Sequence, residues 1–328
     1  MTGIPSLKSH FAFAIGAAIA PDNLKTHDDL LPYHFGSITP ENAMKFELIH
    51  PHPEQYRFEA ADAIVAYALK HHMRVRGHTL VWHNQTPNWV FEDASGESVS
   101  RDALLATMKS HIDTVAGRYR HKVYAWDVVN EAISDEGEER LRSSKWRSAI
   151  GDDFIAQAFY YAHQADTDAV LFYNDYNECF PQKRDKIVSL VKDLIQDKVP
   201  VHGIGMQGHW NMESPTLEQI QEAIEAYATL GLQIQITELD LSMFAFNDKR
   251  TDLQHPTQQM LDMQATRYHD VFALLKSYDR YISGITFWGI ADDYTWLDNF
   301  PVRGRKNWPM LFDAQHAPKA AFWEVINS

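Results

Sequence analysis

The sequence predicts an α/β protein, a single-domain (β/α)8 TIM barrel with its active site at the C-terminal ends of the strands. Strand-like apolar runs recur eight times along the chain, amphipathic stretches alternate with them, and polar or aromatic residues follow nearly every run. Alternating strands and helices are the pattern of this barrel, which carries its working residues where strands end. A length of 328 residues would also permit two domains. No low-complexity tract, fixed-period repeat or Pro/Gly/Ser-rich linker divides the chain, so one domain over residues 1–328 is predicted.

The eight apolar runs are rich in branched and aromatic residues, which is typical of buried parallel strands. The predicted strands span residues 11–20, 36–42, 74–80, 123–130, 169–175, 202–209, 233–240 and 282–289. Apolar residues return every three to four positions in the stretches between them, which predicts helices over 57–72, 102–119, 152–165, 182–197 and 217–230. Two long irregular stretches, 242–258 and 291–309, are expected to be loops that wall a cleft.

The predicted strand ends carry side chains that a purely structural barrel does not require. In chain order these are Glu41-Asn42, His78 with Trp82, Asn130-Glu131, Asn174-Asp175-Tyr176, Gln207-Gly208-His209, Glu238-Leu239-Asp240 and Trp288. Because the carboxyl ends of all strands in such a barrel meet at one rim, we expect these groups to line a single site.

The composition indicates a neutral ligand. The formal net charge of −14 repels nucleic acid and anionic lipid, so neither a nucleic-acid nor a membrane partner is expected. No run approaches the ~20 apolar residues of a membrane span. Four tryptophans, Trp82, Trp89, Trp296 and Trp308, fall in or beside predicted loops, where they can contact the flat faces of sugars or pack the loop onto its own core.

The single cysteine, Cys179, excludes an intrachain disulfide and gives no indication of an oxidising compartment. The N-terminal run 11–20 follows Lys8 and ends in small residues, so it superficially resembles a signal peptide. Its removal would delete the first barrel strand and open the sheet. We therefore interpret it as a strand and expect a cytoplasmic protein.

Two glutamates, Glu131 and Glu238, each close a short apolar run. A lone glutamate at a strand end is commonly a helix cap or a solvated loop residue, but two that face each other form the carboxyl pair of retaining glycoside hydrolysis, one protonated and one ionised. Asp240 lies two residues after Glu238 and points to the same side of an extended strand. It is a candidate to orient His209, which in turn could keep Glu238 ionised.

Seven segments carry a family resemblance: TPENAMKFE (39–47), GHTLVWHNQTPNW (77–89), AWDVVNEAI (125–133), LFYNDYN (171–177), IGMQGHW (204–210), ITELDL (236–241) and FWGIADDYTW (287–296). Together they resemble the retaining endo-β-1,4-xylanases of glycoside hydrolase family 10, in an intracellular form without a signal peptide. The resemblance runs from Leu7 to the final helix. It implies that Glu131 is the general acid/base, that Glu238 is the nucleophile and that no cofactor is needed.

The same resemblance implies binding roles on the glycone side of the scissile bond. Glu41, Asn42 and Lys45 would bind the glycone xylose units. Trp288 and Trp296 would form the floor and wall of that site.

Around the sugar being cleaved, the resemblance implies roles for His78, Trp82 and Gln207. Asn130 would contact the 2-hydroxyl of that sugar, and His209 would orient Glu238 with Asp240 behind it. Tyr176 would face the aglycone side.

The chain departs from the family pattern at Ala320, where proline is more frequent, and at Thr295, where serine is common. Neither position touches the predicted chemistry. A metal hydrolase is disfavoured because no HExxH or HxxEH motif occurs, and no metal ligands are predicted.

Two alternatives stay open: another retaining barrel β-glycosidase, acting on β-glucan or as an exo-enzyme, and a noncatalytic sugar-binding barrel. The bulky indole of Trp296 would exclude the hydroxymethyl group that xylose lacks, which favours xylan-derived chains. A cytoplasmic enzyme of this kind would act on imported short xylo-oligosaccharides or on soluble xylan.

Overall fold

The computed structural model describes residues 3–328; residues 1 and 2 of the predicted domain lie outside that range. The strands are β1 (Ala14–Ile19), β2 (Ser37–Pro40), β3 (Arg74–Trp82), β4 (Val123–Asn130), β5 (Val170–Asp175), β6 (Gly203–Met206), β7 (His209–Asn211), β8 (Gln233–Ser242) and β9 (Ile282–Phe287). Eight of them are parallel and follow one another in the order β6-β5-β4-β3-β2-β1-β9-β8, and pairing of β6 with β8 closes the sheet. This closed barrel confirms the predicted fold class.

Helices surround the barrel and cover its outer face. They are α1 (Asn23–Thr26), α2 (Leu31–His34), α3 (Phe46–Ile49), α4 (Glu59–Lys70), α5 (Arg101–Arg118), α6 (Lys145–Ile150), α7 (Phe154–Ala165), α8 (Pro181–Gln196), α9 (Leu217–Ala228), α10 (Gln258–Ser277) and α11 (Ala320–Asn327). The five helices predicted from periodicity all form, with ends within about two residues of the expected positions. Among the described residues, no helix is both long enough and apolar enough to cross a membrane.

The predicted strand over residues 202–209 is divided in the structure. β6 ends at Met206, and Gly208 adopts a positive φ of 79°. The chain then resumes as β7, which pairs only with the extended end of β8 and lies outside the closed barrel. This short strand carries His209 beside Asp240, its register partner on β8.

The predicted loop over 242–258 ends where α10 begins. Thr257 caps this helix by accepting a hydrogen bond from the Met260 backbone N–H. The cap and the twenty-residue helix behind it anchor the loop on the barrel wall.

A buried ion pair lies in the barrel interior below the rim. Arg76 on β3 and Asp127 on β4 are fully buried and joined by two hydrogen bonds, and Gln235 on β8 accepts from Arg76 Nε at 2.9 Å. Asp127 Oδ2 also lies 2.8 Å from His78 Nδ1. The pair therefore orients a side chain of the rim from beneath.

Candidate active site

One cleft of about 970 Å³ opens at the C-terminal ends of the strands. It is lined by all the predicted site residues, namely Glu41, Asn42, Lys45, His78, Trp82, Asn130, Glu131, Tyr176, Gln207, His209, Glu238, Asp240, Trp288 and Trp296. Sheet register accounts for part of this convergence. Asn130 is paired with Trp82 on one side and Asn174 on the other, and Asn174 is paired with Gly205.

Glu131 follows the last residue of β4 and is only 8% exposed. Its carboxylate receives hydrogen bonds from Trp82 Nε1 at 2.7 Å and from Gln207 Nε2 at 2.9 Å. Burial raises the pKa of Glu131; the hydrogen bond from Gln207 opposes this rise, and the nearby carboxylates of Asp175 and Glu238 add to it. The protonated form is therefore favoured, as a general acid requires.

Glu238 lies within β8 and is 4% exposed. His209 Nε2 is 3.0 Å from Glu238 Oε2, and Asn174 Nδ2 donates to Oε1 at 2.9 Å. Burial alone would raise the pKa of Glu238, but the hydrogen bond from His209 and the charges of His78 and His209 lower it below its usual value. The ionised form is therefore favoured, as a nucleophile requires.

His209 is held between two carboxylates. Its Nδ1 lies 2.9 Å from Asp240 Oδ2, while its Nε2 faces Glu238. Burial would lower the pKa of His209, but Asp240 and Glu238 together raise it to about 10. Trp296 Nε1 also donates to Asp240 Oδ2, at 2.8 Å. An imidazolium in this position supplies positive charge beside Glu238.

The Asn174 side chain links Glu238 to Asn130, the residue before Glu131, a role that the sequence did not reveal. Its amide nitrogen donates at 2.9 Å both to Asn130 Oδ1 and to Glu238 Oε1, and its oxygen accepts from Thr237 Oγ1 at 2.6 Å. A Cβ at Gly205 would lie 2.1 Å from that oxygen, so the neighbouring strand needs glycine here. The sequence feature that could have identified this role is the alternation of side chains along β5, which points Asn174 into the barrel.

Polar groups with few protein partners line the cleft beside the carboxyl pair. Lys45 and Glu41 are 7% and 8% exposed. Lys45 Nζ donates to Asn42 Oδ1 at 2.9 Å and lies 5.0 Å from the centre of the Trp82 ring. Burial lowers the pKa of Lys45 and raises that of Glu41. Tyr294, which the sequence did not single out, donates to Glu41 Oε1 at 3.2 Å. These groups are suited to hydrogen-bond a polar neutral ligand.

Aromatic residues form other parts of the cleft. The Trp288 ring meets the His78 ring edge to face at 5.2 Å, and the Trp296 ring stacks on Phe300 at 5.0 Å. Tyr176 hydrogen-bonds to Asp135 and accepts from Arg142 at 2.8 Å.

The other two loop tryptophans do not line the cleft. Trp308 packs in a small core cluster with Met243 and Phe244, and Trp89 packs against Phe46 and His50. Trp89 and Trp308 therefore pack their loops onto the protein core, the second of the two roles considered for loop tryptophans.

A buried group of potential metal ligands also lies at the rim. Atoms of His78, Asp127 and Glu238 are within 4.8 Å of one another. The guanidinium of Arg76 already pairs with Asp127, so a divalent cation here would face a buried positive charge. The hydrogen bonds of this group suit an orienting role for His78 better than metal coordination.

Known proteins resemble this chain over its whole length. The model of glycosyl hydrolase family 10 matches residues 6–328. An endo-1,4-beta-xylanase of Geobacillus stearothermophilus is 58% identical over 328 residues, covering 99% of each chain. The crystal structure of xylanase XynB from Paenibacillus barcinonensis, complexed with a conduramine derivative, has a TM-score of 0.98 at 54% identity and 99% coverage of both chains. That of an endo-1,4-beta-xylanase from Caldicellulosiruptor owensensis has a TM-score of 0.97 at 50% identity, covering 99% of this chain and 100% of the other.

Proposed function

This chain belongs to glycosyl hydrolase family 10, and from that premise we propose that it is an endo-acting, retaining β-1,4-xylanase working by double displacement. Glu131 is the general acid/base and Glu238 the nucleophile. The observation that carries this assignment is the difference between the hydrogen-bond partners of the two buried carboxyl groups: Glu238 faces the imidazole of His209 at 3.0 Å, whereas Glu131 accepts from the neutral N–H groups of Trp82 and Gln207, and the pKa is accordingly lowered for Glu238 and raised for Glu131. A pair of titratable groups separated in this way identifies the acid and the nucleophile.

In the first displacement, a Glu238 oxygen attacks the anomeric carbon and the glycosidic C–O bond breaks. The departing oxygen takes the proton of Glu131. Hydrogen bonds from Trp82 and Gln207 hold the Glu131 carboxyl in place for this transfer. The products are a glycosyl ester on Glu238 and an ionised Glu131.

In the second displacement, water attacks the anomeric carbon from the side that the leaving group vacated. Glu131 accepts the proton of this water, and the ester bond to Glu238 breaks. Forming the ester removes the negative charge that helps to raise the pKa of Glu131. Loss of that charge makes Glu131 more acidic and so suits it to act as the base in this step.

The substrate is a neutral xylan-derived chain. Glu41, Asn42 and Lys45 bind the glycone sugars, and the Trp288 and Trp296 indoles cover them. An indole beside the position of C5 leaves room for xylose and excludes the hydroxymethyl group of glucose. Turnover of an aryl cellobioside at a rate comparable to that of the matching xylobioside would contradict this and favour a β-glucan enzyme.

The decisive experiment is proton NMR of xylotetraose during hydrolysis, which records the anomeric form of the first products. Early β-anomer is expected from double displacement. Early α-anomer would require an inverting geometry and a different second carboxylate, and absence of cleavage would favour the sugar-binding alternative.

Two isosteric variants separate the roles of the glutamates. Glu131→Gln should retain kcat/KM on an aryl xylobioside with a strongly activated leaving group but lose activity on xylotetraose, because only the latter leaving oxygen needs a proton. Glu238→Gln should lose activity on both substrates. Each variant serves as the control for the other, since both replace one buried carboxyl group of the same cleft with an amide.

A cytoplasmic location, with imported short xylo-oligosaccharides as substrates, stays a prediction. Its kinetic consequence is a rate on xylotetraose at least comparable to the rate on long soluble xylan. Much faster cleavage of the polymer would count against it.

A further inference from the structure

Strand β5 contributes contacts on the Glu131 side and on the Glu238 side of the catalytic pair. Its residue Asn174 points into the barrel, where it contacts Glu238 and Asn130. Successive residues of a strand point to opposite faces. Tyr173 and Asp175 therefore face away from the barrel axis, toward the chain that leaves β4 through Glu131.

Both backbone polar groups of Glu131, its N–H and its carbonyl, form hydrogen bonds. Glu131 has a φ of 59°, a left-handed conformation that costs a non-glycine residue free energy. Its N–H donates to the Asn174 carbonyl at 2.8 Å, and its carbonyl accepts from Arg142 Nε at 3.0 Å. Such a conformation persists only where its surroundings fix it.

The next two residues share one hydroxyl as a hydrogen-bond acceptor, and Asp175 Oδ2 accepts a second, longer bond from the Ile133 N–H at 3.4 Å. The N–H groups of Ala132 and Ile133 both donate to the Tyr173 oxygen, at 3.0 and 3.1 Å. That hydroxyl donates its own proton to Asp175. Tyr173 and Asp175 are fully buried, so water cannot replace either group.

A buried lysine completes the arrangement. Lys183 Nζ lies 3.1 Å from Asp175 and 2.6 Å from Asp135, and it donates to the Ile133 carbonyl at 3.2 Å. The segment that follows Glu131 is therefore fastened to β5 and α8 by buried hydrogen bonds of a tyrosine, a carboxylate and an ammonium.

We propose that Tyr173 and Asp175 are positioning residues, which hold the Glu131 carboxyl in the orientation that transfers a proton to the leaving oxygen. This inference rests on the role of Glu131 as acid/base in the proposed function. Neither side chain lines the cleft, so neither acts on the substrate directly. Their effect is confined to the group that protonates the leaving oxygen.

Electrostatics gives Asp175 a second effect on the same group. The charged residues that face Glu131 are Asp175 on β5, Glu238 on β8, Lys45 before α3 and Arg142 in the segment after β4. The Asp175 charge raises the pKa of Glu131. Its removal therefore makes ionisation of Glu131 easier, and the basic limb of the kcat/KM profile moves to lower pH.

The first test is Tyr173→Phe, which removes the shared acceptor and keeps the ring. We expect kcat/KM on xylotetraose to fall on the order of tenfold, since the buried Ala132 N–H loses its partner and the Ile133 N–H keeps only its longer bond to Asp175. On an aryl xylobioside with an activated leaving group, which needs no proton, the fall should stay within about twofold. Equal losses on the two substrates would overturn the proposal.

The matched control is Tyr268→Phe. Tyr268 is also fully buried, and its hydroxyl donates to the Pro309 carbonyl at 2.6 Å, away from the cleft. It should lower thermal stability without changing the ratio of the two kcat/KM values. A change in that ratio as large as the one in Tyr173→Phe would also overturn the proposal.

The second test is Asp175→Asn, read as the pH dependence of kcat/KM. The basic limb should move to lower pH by roughly one unit, at the low end of what a neighbouring charge produces. Asp292→Asn makes the same change at another buried Asp–Lys pair, in which Lys319 Nζ lies 2.7 Å from Asp292. The Asp292→Asn variant should leave the basic limb of the kcat/KM profile at its original pH.

An unmoved limb in folded Asp175→Asn would overturn the electrostatic part of the proposal. If that variant does not fold, Tyr173→Phe alone decides. Absence of xylotetraose cleavage by the unaltered protein would instead overturn the proposed function, and this inference with it.

Discussion

Replacing His209 with glutamine should move the acidic limb of the pH–rate profile to higher pH. In the proposed mechanism Glu238 must be ionised to attack, so activity appears as the pH rises through its pKa. In the structure His209 Nε2 lies 3.0 Å from Glu238 Oε2, and the carboxylate of Asp240 keeps the imidazole charged. Glutamine can still donate a hydrogen bond to Glu238 but brings no charge.

The size of the shift follows from the loss of the positive charge, because glutamine keeps a hydrogen bond to the same carboxylate. A positive charge within about 4–6 Å lowers the pKa of a carboxyl group by about 1–3 units, and one unit corresponds to about 1.4 kcal/mol. We therefore expect the pKa of Glu238, and with it the acidic limb, to rise by roughly one unit.

The assay is kcat/KM on xylotetraose across the acidic range, because this parameter reports the ionisation of the free enzyme. His316→Gln is the control, since His316 also faces a carboxylate, with Nδ1 3.1 Å from Asp29 Oδ2, and it does not line the cleft. That variant should keep the limb unchanged. A lowered kcat in His209→Gln with the limb at its original pH would refute the argument that His209 keeps Glu238 ionised.

Three further predictions concern packing and stability. Gly205→Ala places a Cβ 2.1 Å from Asn174 Oδ1 and should lower kcat on xylotetraose on the order of tenfold. The far-UV circular dichroism spectrum should stay native-like. Full activity would show that Asn174 can move without loss of catalysis. Lys319→Met leaves the buried Asp292 carboxylate unpaired and should reduce the free energy of unfolding by about 3–5 kcal/mol in denaturant titration; a loss below about 1 kcal/mol would contradict the pairing argument. His34 is buried with both ring nitrogens unpartnered, and burial lowers its pKa to about 4. Because its folded pKa lies below the model-peptide value of 6.5, the stability it contributes is present above pH 6.5 and is lost as the pH falls toward 4. His34→Phe should flatten this part of the curve of Tm against pH, and an unchanged slope would show that other groups cause it.

The periodicity of the sequence predicted the barrel because each strand is buried on both faces and each helix on one. Strand ends were less regular, and Gly208 shows why. Its left-handed φ ends β6 early and starts β7 in a new direction, which apolar patterning does not reveal. Likewise, Trp89 and Trp308 have the same residue type and loop context as Trp296. Only their packing partners separate core tryptophans from the one in the cleft.

The cleft residues were predictable because polar groups at the strand ends of a parallel barrel converge on one rim. Apart from His209 and Asp240, residues that act through other residues were not predictable in the same way. Asn174, Tyr173 and Asp127 hold the rim groups from within or behind the barrel, and each occupies a position that could equally be ordinary core. Identifying them required the register of neighbouring strands, which pairs Asn130 with Asn174 and Trp82.

The two glutamates show that burial alone does not decide the role of a carboxyl group. Burial raises the pKa of both, and both accept hydrogen bonds from amide groups of the rim. The difference is the charge of the neighbours: the carboxylates of Asp175 and Glu238 add to the rise in the pKa of Glu131, whereas the charges of His78 and His209 lower the pKa of Glu238. Glu131 meets the neutral N–H groups of Trp82 and Gln207, whereas Glu238 meets the imidazole that Asp240 keeps protonated. In the proposed mechanism, the acid and the nucleophile are therefore distinguished in part by a histidine on β7, the strand that lies outside the closed barrel.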